Sequence, residues 1–540
     1  MTRLHSLVSL SLASLPSLLS AQSPADGMRL IVPIDQPTTY LVDVDDVVVH
    51  SWPSQYLARH AASLDKDGSL VRSIKTAPGF HDAFAGGGFE RVALDGTSIF
   101  RWHYYGPRNP TTHHDIEILP NGNVLMIAYE EYSHAEAVAH GRHPALMDPT
   151  SPFRPDHIIE VQQTSETDAQ VVWEWHVWDH VIQDVDPTKA NFGVVADNPQ
   201  LIDLNYPILA PAFGDWNHMN SVDYDPVHDW IIISPRGQNE MWIIDHSTTT
   251  AEAAGHTGGN MGRGGDLLYR WGNPAAHRRG TPADQKLFGQ HGPVFIPEGR
   301  PGAGNVLVFN NNAPGGSAVQ ELVLPIDANG DFILRADGTY GPDTPVWSYQ
   351  GDGFQSPIVS NCERLPNGNT LICSGFQARV FEVTPSGQTV WSHRAPHNIV
   401  FQAEYVERAI WGDVQQVSRM DGGSVEFDLI AGSRFAGQPY LVLGSVSGTA
   451  PGLMVDGLLL PLNVDSYFMT TFSDISSPLF TSMSGTLDAN GRATAYFNLP
   501  GGILPSLLDG LQFDHAFFAV DAPTWTVVKV SDAVRFEIVP

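Results

Sequence analysis

Short apolar runs separated by Gly-, Asn- and Asp-rich turns fill the chain from about residue 27 to residue 415. The segments HHDIEILPNGNVLMIA, HMNSVDYDPVHDWIIIS, HGPVFIPEGRPGAGNVLVF and SPIVSNCERLPNGNTLICSG each read as strand, turn, strand. Runs of this length and composition around a tight turn are the signal of a β-hairpin. IIEV (158–161), MWIID (241–245) and VFEVT (380–384) supply intervening strands, and a further strand ends in tryptophan: Trp102, Trp173 with Trp175, Trp271, Trp347 and Trp391. A repeated four-strand unit is the pattern of propeller blades. Five tryptophan-ended strands are visible, and RLIVPI with TYLVDV can complete another blade. The pattern therefore predicts an all-β chain with a six-bladed β-propeller over residues 22–415, seven blades being the alternative. The tryptophans are read as packing between blades. The strand at Trp102 lacks an obvious hairpin before it.

Beyond residue 416 the aromatic-ended strands stop, and runs such as SVEFDLIAG, PYLVLGS and HAFFAVDA alternate with Gly, Ser and Asp turns. This predicts a separate C-terminal β-sandwich over 416–540. Helical signals are few: YSHAEAVAHG (132–141) reads as a short helix, and 179–205 as an inserted loop with a helical turn. Insertions on one face of a propeller shape its central opening. The stretch GHTGGNMGRGG (255–265) lacks the Lys-Ser/Thr end of a phosphate loop and reads as a flexible connection.

Histidine recurs at one register of the hairpins. His114, His218 and His291 lie seven residues before Asn121, Asp225 and Glu298, and Ser360 takes that place in the fourth copy. In a blade, the start of the first strand and the end of the second share a rim. Counting outward from each turn puts His114 near Tyr129 and Glu130, His218 just before Arg236, and His291 before Asn310 and Asn311. His113 and Asp115 flank His114 and are placed to orient it. The other histidines, His176, His180 and His256 among them, fall outside the pattern and read as structural or solvated.

Acidic residues outnumber basic ones 59 to 29, a formal charge of −30. Such a surface repels phosphate backbones and anionic lipid, which argues against nucleic acid as a partner. Residues 1–21, with Arg3 and the Leu/Ser/Val/Ala run Leu7–Leu19, read as a signal peptide cut near Ala21. That run is too short and too serine-rich for a membrane span, so the expectation is an exported protein. The two cysteines, Cys362 and Cys373, flank a predicted two-residue turn at Asn367-Gly368. In that register Pro366 faces Asn369 and Cys362 faces Cys373, which predicts a disulfide, two buried thiols being the alternative.

Taken as a set, DWNHMNSVDYDP, IIISPRGQNEMWIID, FGQHGPVFIPEG with GNVLVFNN, and RLPNGNTLICSG with VFEVTPSG resemble the bacterial arylsulfate sulfotransferases over about residues 100–395. The resemblance implies an exported six-bladed propeller that moves a sulfuryl group from an aryl sulfate to a phenolic acceptor through a sulfo-histidine, with no cofactor or metal. His218, His291 and Arg236 match family positions, and His291 or His218 is implied as nucleophile. The chemistry suits the residue types: imidazole attacks sulfur, and a guanidinium with further imidazoles stabilises the oxygens as charge shifts. His114 joins the catalytic set, and Glu130, Asn310, Asn311 and Ser360 the substrate-binding set. A homodimer is left open. Two other readings stand beside this one: a non-catalytic exported propeller that binds a small anion, glycan or surface ligand, and three imidazoles holding Zn²⁺ or Cu²⁺.

Overall fold

In the computed structural model, residues 23–75, 86–208, 214–351 and 353–540 are described. The signal-peptide expectation for residues 1–21 falls outside them. Six four-stranded antiparallel sheets are arranged as the blades of a propeller. Blade 1 is closed by both ends of the ring: Met28–Pro33, Thr38–Val42 and Val48–Pro53 are completed by Val400–Val406, which pairs with Met28–Pro33 as the innermost strand. A buried ion pair ties the same seam, Arg29 Nη2 lying 2.6 Å from Glu382 of blade 6. Blade 2 runs Ala58–Leu64 to Ser98–His103, blade 3 Thr111–Ile118 to Ala169–His176, and blade 4 Met219–Asp225 to Tyr269–Trp271. Blade 5 runs His291–Phe295 to Trp347–Tyr349, and blade 6 Asn361–Arg364 to Thr389–Arg394.

The cores lie between adjacent blades, because a blade buries both faces against its neighbours. Trp173 and Trp175 of blade 3 share one cluster with Ile231, Ile233, Trp242 and Ile244 of blade 4. Trp271 belongs to the next cluster, with Val306, Val308 and Leu322 of blade 5. The strand at Trp102 has a complete blade before it: its hairpin is Ala58–Leu64 with Leu70–Lys75, turning at Asp67-Gly68.

Two sequence expectations change in detail. The turn between the cysteines has three residues, not two. Leu365 and Asn369 face each other across Pro366-Asn367-Gly368, and Gly368 takes φ 87°. The register slips by one residue, and a slip of one turns a side chain to the other face. Cys373 therefore faces Asn361 and Cys362 faces Ile372. The thiols are free and buried in different clusters, Cys362 beside Phe309 and Ile372, Cys373 beside Leu365 and Val380. The predicted disulfide does not form. The glycine-rich stretch is also pinned: Gly264 and Gly265 donate to Gly258 and Gly255, and Met261 donates to Asp245 Oδ2 at 2.8 Å.

A ten-stranded sheet follows the ring, spanning Ile410–Gly412 to Val534–Val539. Arg492–Pro500 and Gln512–Asp521 are separated in it by three strands, yet the rings of Phe497 and Phe513 stand 5.8 Å apart. Strands that far apart in a flat sheet would stand roughly 19 Å apart. The sheet is therefore curled so that its halves face each other over an aromatic core of Phe427, Phe497, Phe513, Phe517 and Phe536. No helix among the described residues is long and apolar enough to cross a membrane.

Candidate functional site at the channel mouth

The innermost strands of blades 2 to 5 share a local irregularity. Pairing with the second strand breaks between Ala58 and Ala62, Thr112 and Ile116, Met219 and Val222, and His291 and Val294. A bulge bends a strand and re-aims the side chains beside it. In blade 3 the bulge carries His114 itself in the left-handed region, at φ 55°, and in blade 4 His218 stands at φ 49° just before the bulged segment. Such backbone costs about 1–3 kcal/mol per residue and persists where its surroundings enforce it. In blade 5 Gly292 takes the positive φ, and His291 keeps a strand conformation.

These bulges bring the imidazoles together. The ring of His114 stands 4.7 Å from that of His218 in a T-shaped pair, and 5.0 Å from that of His60 in a stack. His218 and His291 both contribute to the electrostatic surroundings of His114, and Arg236 and His218 to those of His291. The rim thus gathers His114, His218, His291 and Arg236. His60 is a member the sequence reading missed. It lies seven residues before Asp67, the register of the other three.

Each imidazole has a different support. His218 Nδ1 is 2.5 Å from Asp215 Oδ2, and the His218 amide donates to Asp215 Oδ1 at 3.2 Å. An ionised carboxylate only accepts, so Nδ1 carries the proton and the ring's lone pair lies at Nε2. Burial raises the Asp215 carboxyl, but the charge and hydrogen bonds of His218 outweigh this and leave it below its ordinary value. Asp215 is itself held by backbone: Arg154 donates to the Gly214 carbonyl and Trp216 to the Arg154 carbonyl. Gly214 is required there, since a Cβ would stand 1.8 Å from the Pro152 oxygen. The side chain of His218 is 20% exposed, whereas His114 and His291 are buried.

His114 ends a relay. Its Nδ1 is 2.7 Å from His113 Nδ1, and His113 Nε2 is 3.2 Å from Asp156 Oδ1. With Asp156 as acceptor, His113 Nε2 donates, its Nδ1 accepts from His114, and the lone pair of His114 is at Nε2. Burial first, then His218, His60, His113 and His291, hold the His114 pKa well below the ordinary value. Asp115 is turned elsewhere. It accepts from the amides of Val222 and Ile116 and does not orient His114.

His291 is engaged at both nitrogens. Nδ1 lies 2.8 Å from Asn311 Oδ1, and Nε2 accepts from the Val359 amide at 3.1 Å. Burial, with Arg236 next, brings its pKa down to about 3. Asn311 donates to the Ser356 and Val359 carbonyls, so it braces His291 between blades 5 and 6.

Arg236 follows the second strand of blade 4, and its amide donates to the His218 carbonyl at 3.2 Å. Its guanidinium packs over Gly289. Its Nε is buried without a hydrogen-bond acceptor, and no carboxylate stands within ion-pair distance, among the described residues. Burial lowers its pKa while Asp215 raises it. Gly237 follows because the chain doubles back here: a Cβ would meet the Trp216 carbonyl at 2.6 Å.

Three sequence-selected residues do other work. Glu130 accepts from Tyr132 at 2.9 Å and contacts His176 Nδ1 at 3.1 Å, since the register sets Thr111, not His114, opposite Tyr129. Asn310 accepts from the Phe288 amide and donates to the Lys286 carbonyl. Ser360 donates to Ser356 Oγ and accepts from the Gly375 amide, a structural link inside blade 6. The mouth imidazoles do not converge as metal ligands: among the described residues, the one group that does so is His180, His256 and Asp266.

The insertion 130–155 and the segment that follows His176 leave from the rim that carries these residues, since both follow strands that end there. An apolar recess of about 350 Å³ lies among them, lined by Leu146, Met147, Phe153, Ile208 and Trp216.

The molecule is thus a six-bladed propeller with a histidine–arginine cluster at one mouth of its channel. The family model described as Arylsulfotransferase (ASST) matches residues 91–410, and the chain belongs to that family. No curated protein shows a significant match. Solved structures resemble it at low identity. A protein of unknown function from Bacteroides caccae is 14% identical, with 71% of this chain and 99% of that one covered, at a TM-score of 0.39. Virginiamycin B lyase from Staphylococcus aureus is 10% identical, with 74% and 91% covered, at 0.31. The periplasmic gluconolactonase of Pseudomonas aeruginosa is 13% identical, with 71% and 99% covered, at 0.34. Nothing about activity follows from likenesses this low.

Proposed function

We propose that this arylsulfotransferase-family protein moves a sulfuryl group from an aryl sulfate to a phenolic acceptor, with His218 as the nucleophile, after export directed by residues 1–21. The observation that carries the reading is the 2.5 Å contact of His218 Nδ1 with Asp215 Oδ2. It sets the lone pair at Nε2 of the one partly exposed imidazole in the cluster, beside the half-buried Arg236, which has no carboxylate within ion-pair distance among the described residues.

In the first half-reaction the Nε2 lone pair attacks sulfur, the S–O(aryl) bond breaks, and its electron pair leaves with the phenolate. Asp215 stabilises the imidazolium character that builds on His218. Arg236 donates to the sulfuryl oxygens as their charge redistributes. In the second half-reaction the acceptor phenol gives its proton to His114 Nε2, with the charge shared along His113 to Asp156, and His114 hands that proton to the aryloxide leaving in the next turnover, which resets it. The phenolate oxygen then attacks sulfur, the N–S bond breaks, and its electron pair returns to His218. The apolar recess beside Trp216 suits an aryl ring.

His291 fits the nucleophile's role less well, because both its nitrogens already hold hydrogen bonds. The test is phenolate release from a chromogenic aryl sulfate with and without a phenol acceptor. Acceptor-dependent release that disappears in His218→Ala is expected. Stoichiometric binding without turnover would overturn the reading in favour of a non-catalytic anion-binding propeller.

A further inference from the structure

We propose that His180, His256 and Asp266 form a site for a divalent transition-metal ion of the Zn²⁺ type, on the outer side of the ring between blades 3 and 4. The sequence separates these residues and reads the glycine-rich stretch between the last two as a loose connection. The fold brings them to one point. His180 Nδ1 and His256 Nδ1 stand 3.0 and 2.7 Å from the same oxygen, Asp266 Oδ1, and the ligand atoms all lie within 4.8 Å of one another.

The hydrogen bonding around His180 directs it there. Its ring is fully buried, stacked on Trp175 at 5.5 Å, and its Nε2 is 2.7 Å from the Ala253 carbonyl. A carbonyl only accepts, so Nε2 carries a proton. The remaining nitrogen, Nδ1, faces a carboxylate oxygen. A neutral ring facing an ionised carboxylate would set two acceptors against each other, and a proton held between them or a metal ion shared with His256 resolves that clash. An imidazole whose far nitrogen donates to a backbone carbonyl is the usual second-shell arrangement of a metal-bound histidine.

The loop is built to hold this geometry. Gly264 donates to Gly258 and Gly265 to Gly255, folding the chain so that His256 meets Asp266. A Cβ on Gly265 would stand 2.0 Å from the Ala253 oxygen and 2.6 Å from His180 Nε2. Trp175 Nε1 donates to the Gly265 carbonyl at 2.7 Å and locks the loop to blade 3. Donor atoms around tetrahedral Zn²⁺ stand about 3.3 Å apart, so the contacts of Asp266 with His180 and His256 open by about 0.3 and about 0.6 Å on binding. His256, whose side chain is 60% exposed, can move that far and leaves the outer coordination positions to water. Two imidazoles and one carboxylate suit Zn²⁺, Ni²⁺ or Cu²⁺ over Ca²⁺ or Mg²⁺. None of the three residues belongs to the channel-mouth cluster, so this site stands apart from the proposed transfer chemistry.

The experiment is calorimetric titration of the chelator-treated, tag-free protein with ZnCl₂, repeated with His256→Ala, Asp266→Asn and His218→Ala. The expected result is one equivalent bound by the wild type, affinity lowered at least about tenfold by His256→Ala and by Asp266→Asn, and no change in His218→Ala. Thermal midpoints in chelator, equal for wild type and His256→Ala, show that the exposed substitution leaves the fold intact. No binding by the wild type, equal binding by His256→Ala, or loss of binding in His218→Ala would each overturn the proposal.

Discussion

His218 Nδ1 stands 2.5 Å from Asp215 Oδ2, three residues earlier in the chain, and the same carboxylate receives the His218 backbone amide. One side chain thereby fixes the tautomer, the ring orientation and the left-handed backbone of the residue it serves. Asp215→Asn keeps the size and can still accept from the amide, but it can donate to Nδ1 and favour the wrong tautomer. We expect kcat to fall roughly 10²–10⁴-fold with KM changed little. Steady-state kinetics with a chromogenic aryl sulfate checks this, and an unchanged kcat would remove Asp215 from its role.

His291 should behave differently. Its two nitrogens bind Asn311 and the Val359 amide across blades 5 and 6. His291→Gln loses at least one of these buried bonds, at a cost of about 1–3 kcal/mol. The expected outcome is a lower denaturation midpoint with sulfuryl transfer still detectable. Complete loss of transfer at full stability would make His291 the reacting group instead.

Arg236 carries its charge without an acidic partner among the described residues, and its planar fork can hold two oxygens at once. Arg236→Lys keeps the charge and loses the fork. We expect kcat/KM to fall roughly 10²-fold and inhibition by inorganic sulfate to weaken in parallel. Unaltered kinetics and inhibition would make Arg236 a packing residue.

How much of this was legible in the sequence follows from where each signal lies. Four blades are visible because their hairpins carry their own turns, the other two are counted from the Trp102 strand and the runs RLIVPI and TYLVDV, and the histidine register is visible because it is counted from those turns. His60 obeys the same count before Asp67 but was missed, since the blade around it shows no clear hairpin pattern. Asp215 and Asp156 were missed for another reason: one supports through an i, i+3 turn, and the other lies on a third strand 43 residues from His113. Contacts set by folding leave no periodic trace. The cysteine pairing failed on one residue of turn length, which only the positive φ of Gly368 decides. Glu130 was misplaced because the bulge between Thr112 and Ile116 breaks the outward count.

The channel below the mouth gives a pH dependence of stability. Burial pushes Asp223 and Glu404 up to about 8 and Asp115 up to about 7, while neighbouring carboxylates such as Glu363, beside Glu404, add to the effect. Arg300 pairs with Glu363 at 2.6 Å and opposes it. The folded state keeps protons that the unfolded chain releases above about pH 4, so these groups cost stability as pH rises from about 4 to 8. Glu404→Gln removes one such cost. It should raise the denaturation midpoint at pH 8, by roughly 1–3 kcal/mol in stability, and change little at pH 4. Equal effects at both pH values would contradict the assignment.

Trapping the sulfo-enzyme tests the role of His218. Protein mixed with aryl sulfate in the absence of acceptor, quenched in alkali and digested, should carry one SO₃ group on the peptide containing His218. Added phenol should discharge it. A sulfo group on His291 or His114, or transfer to phenol with no labelled enzyme at any time, would contradict the account.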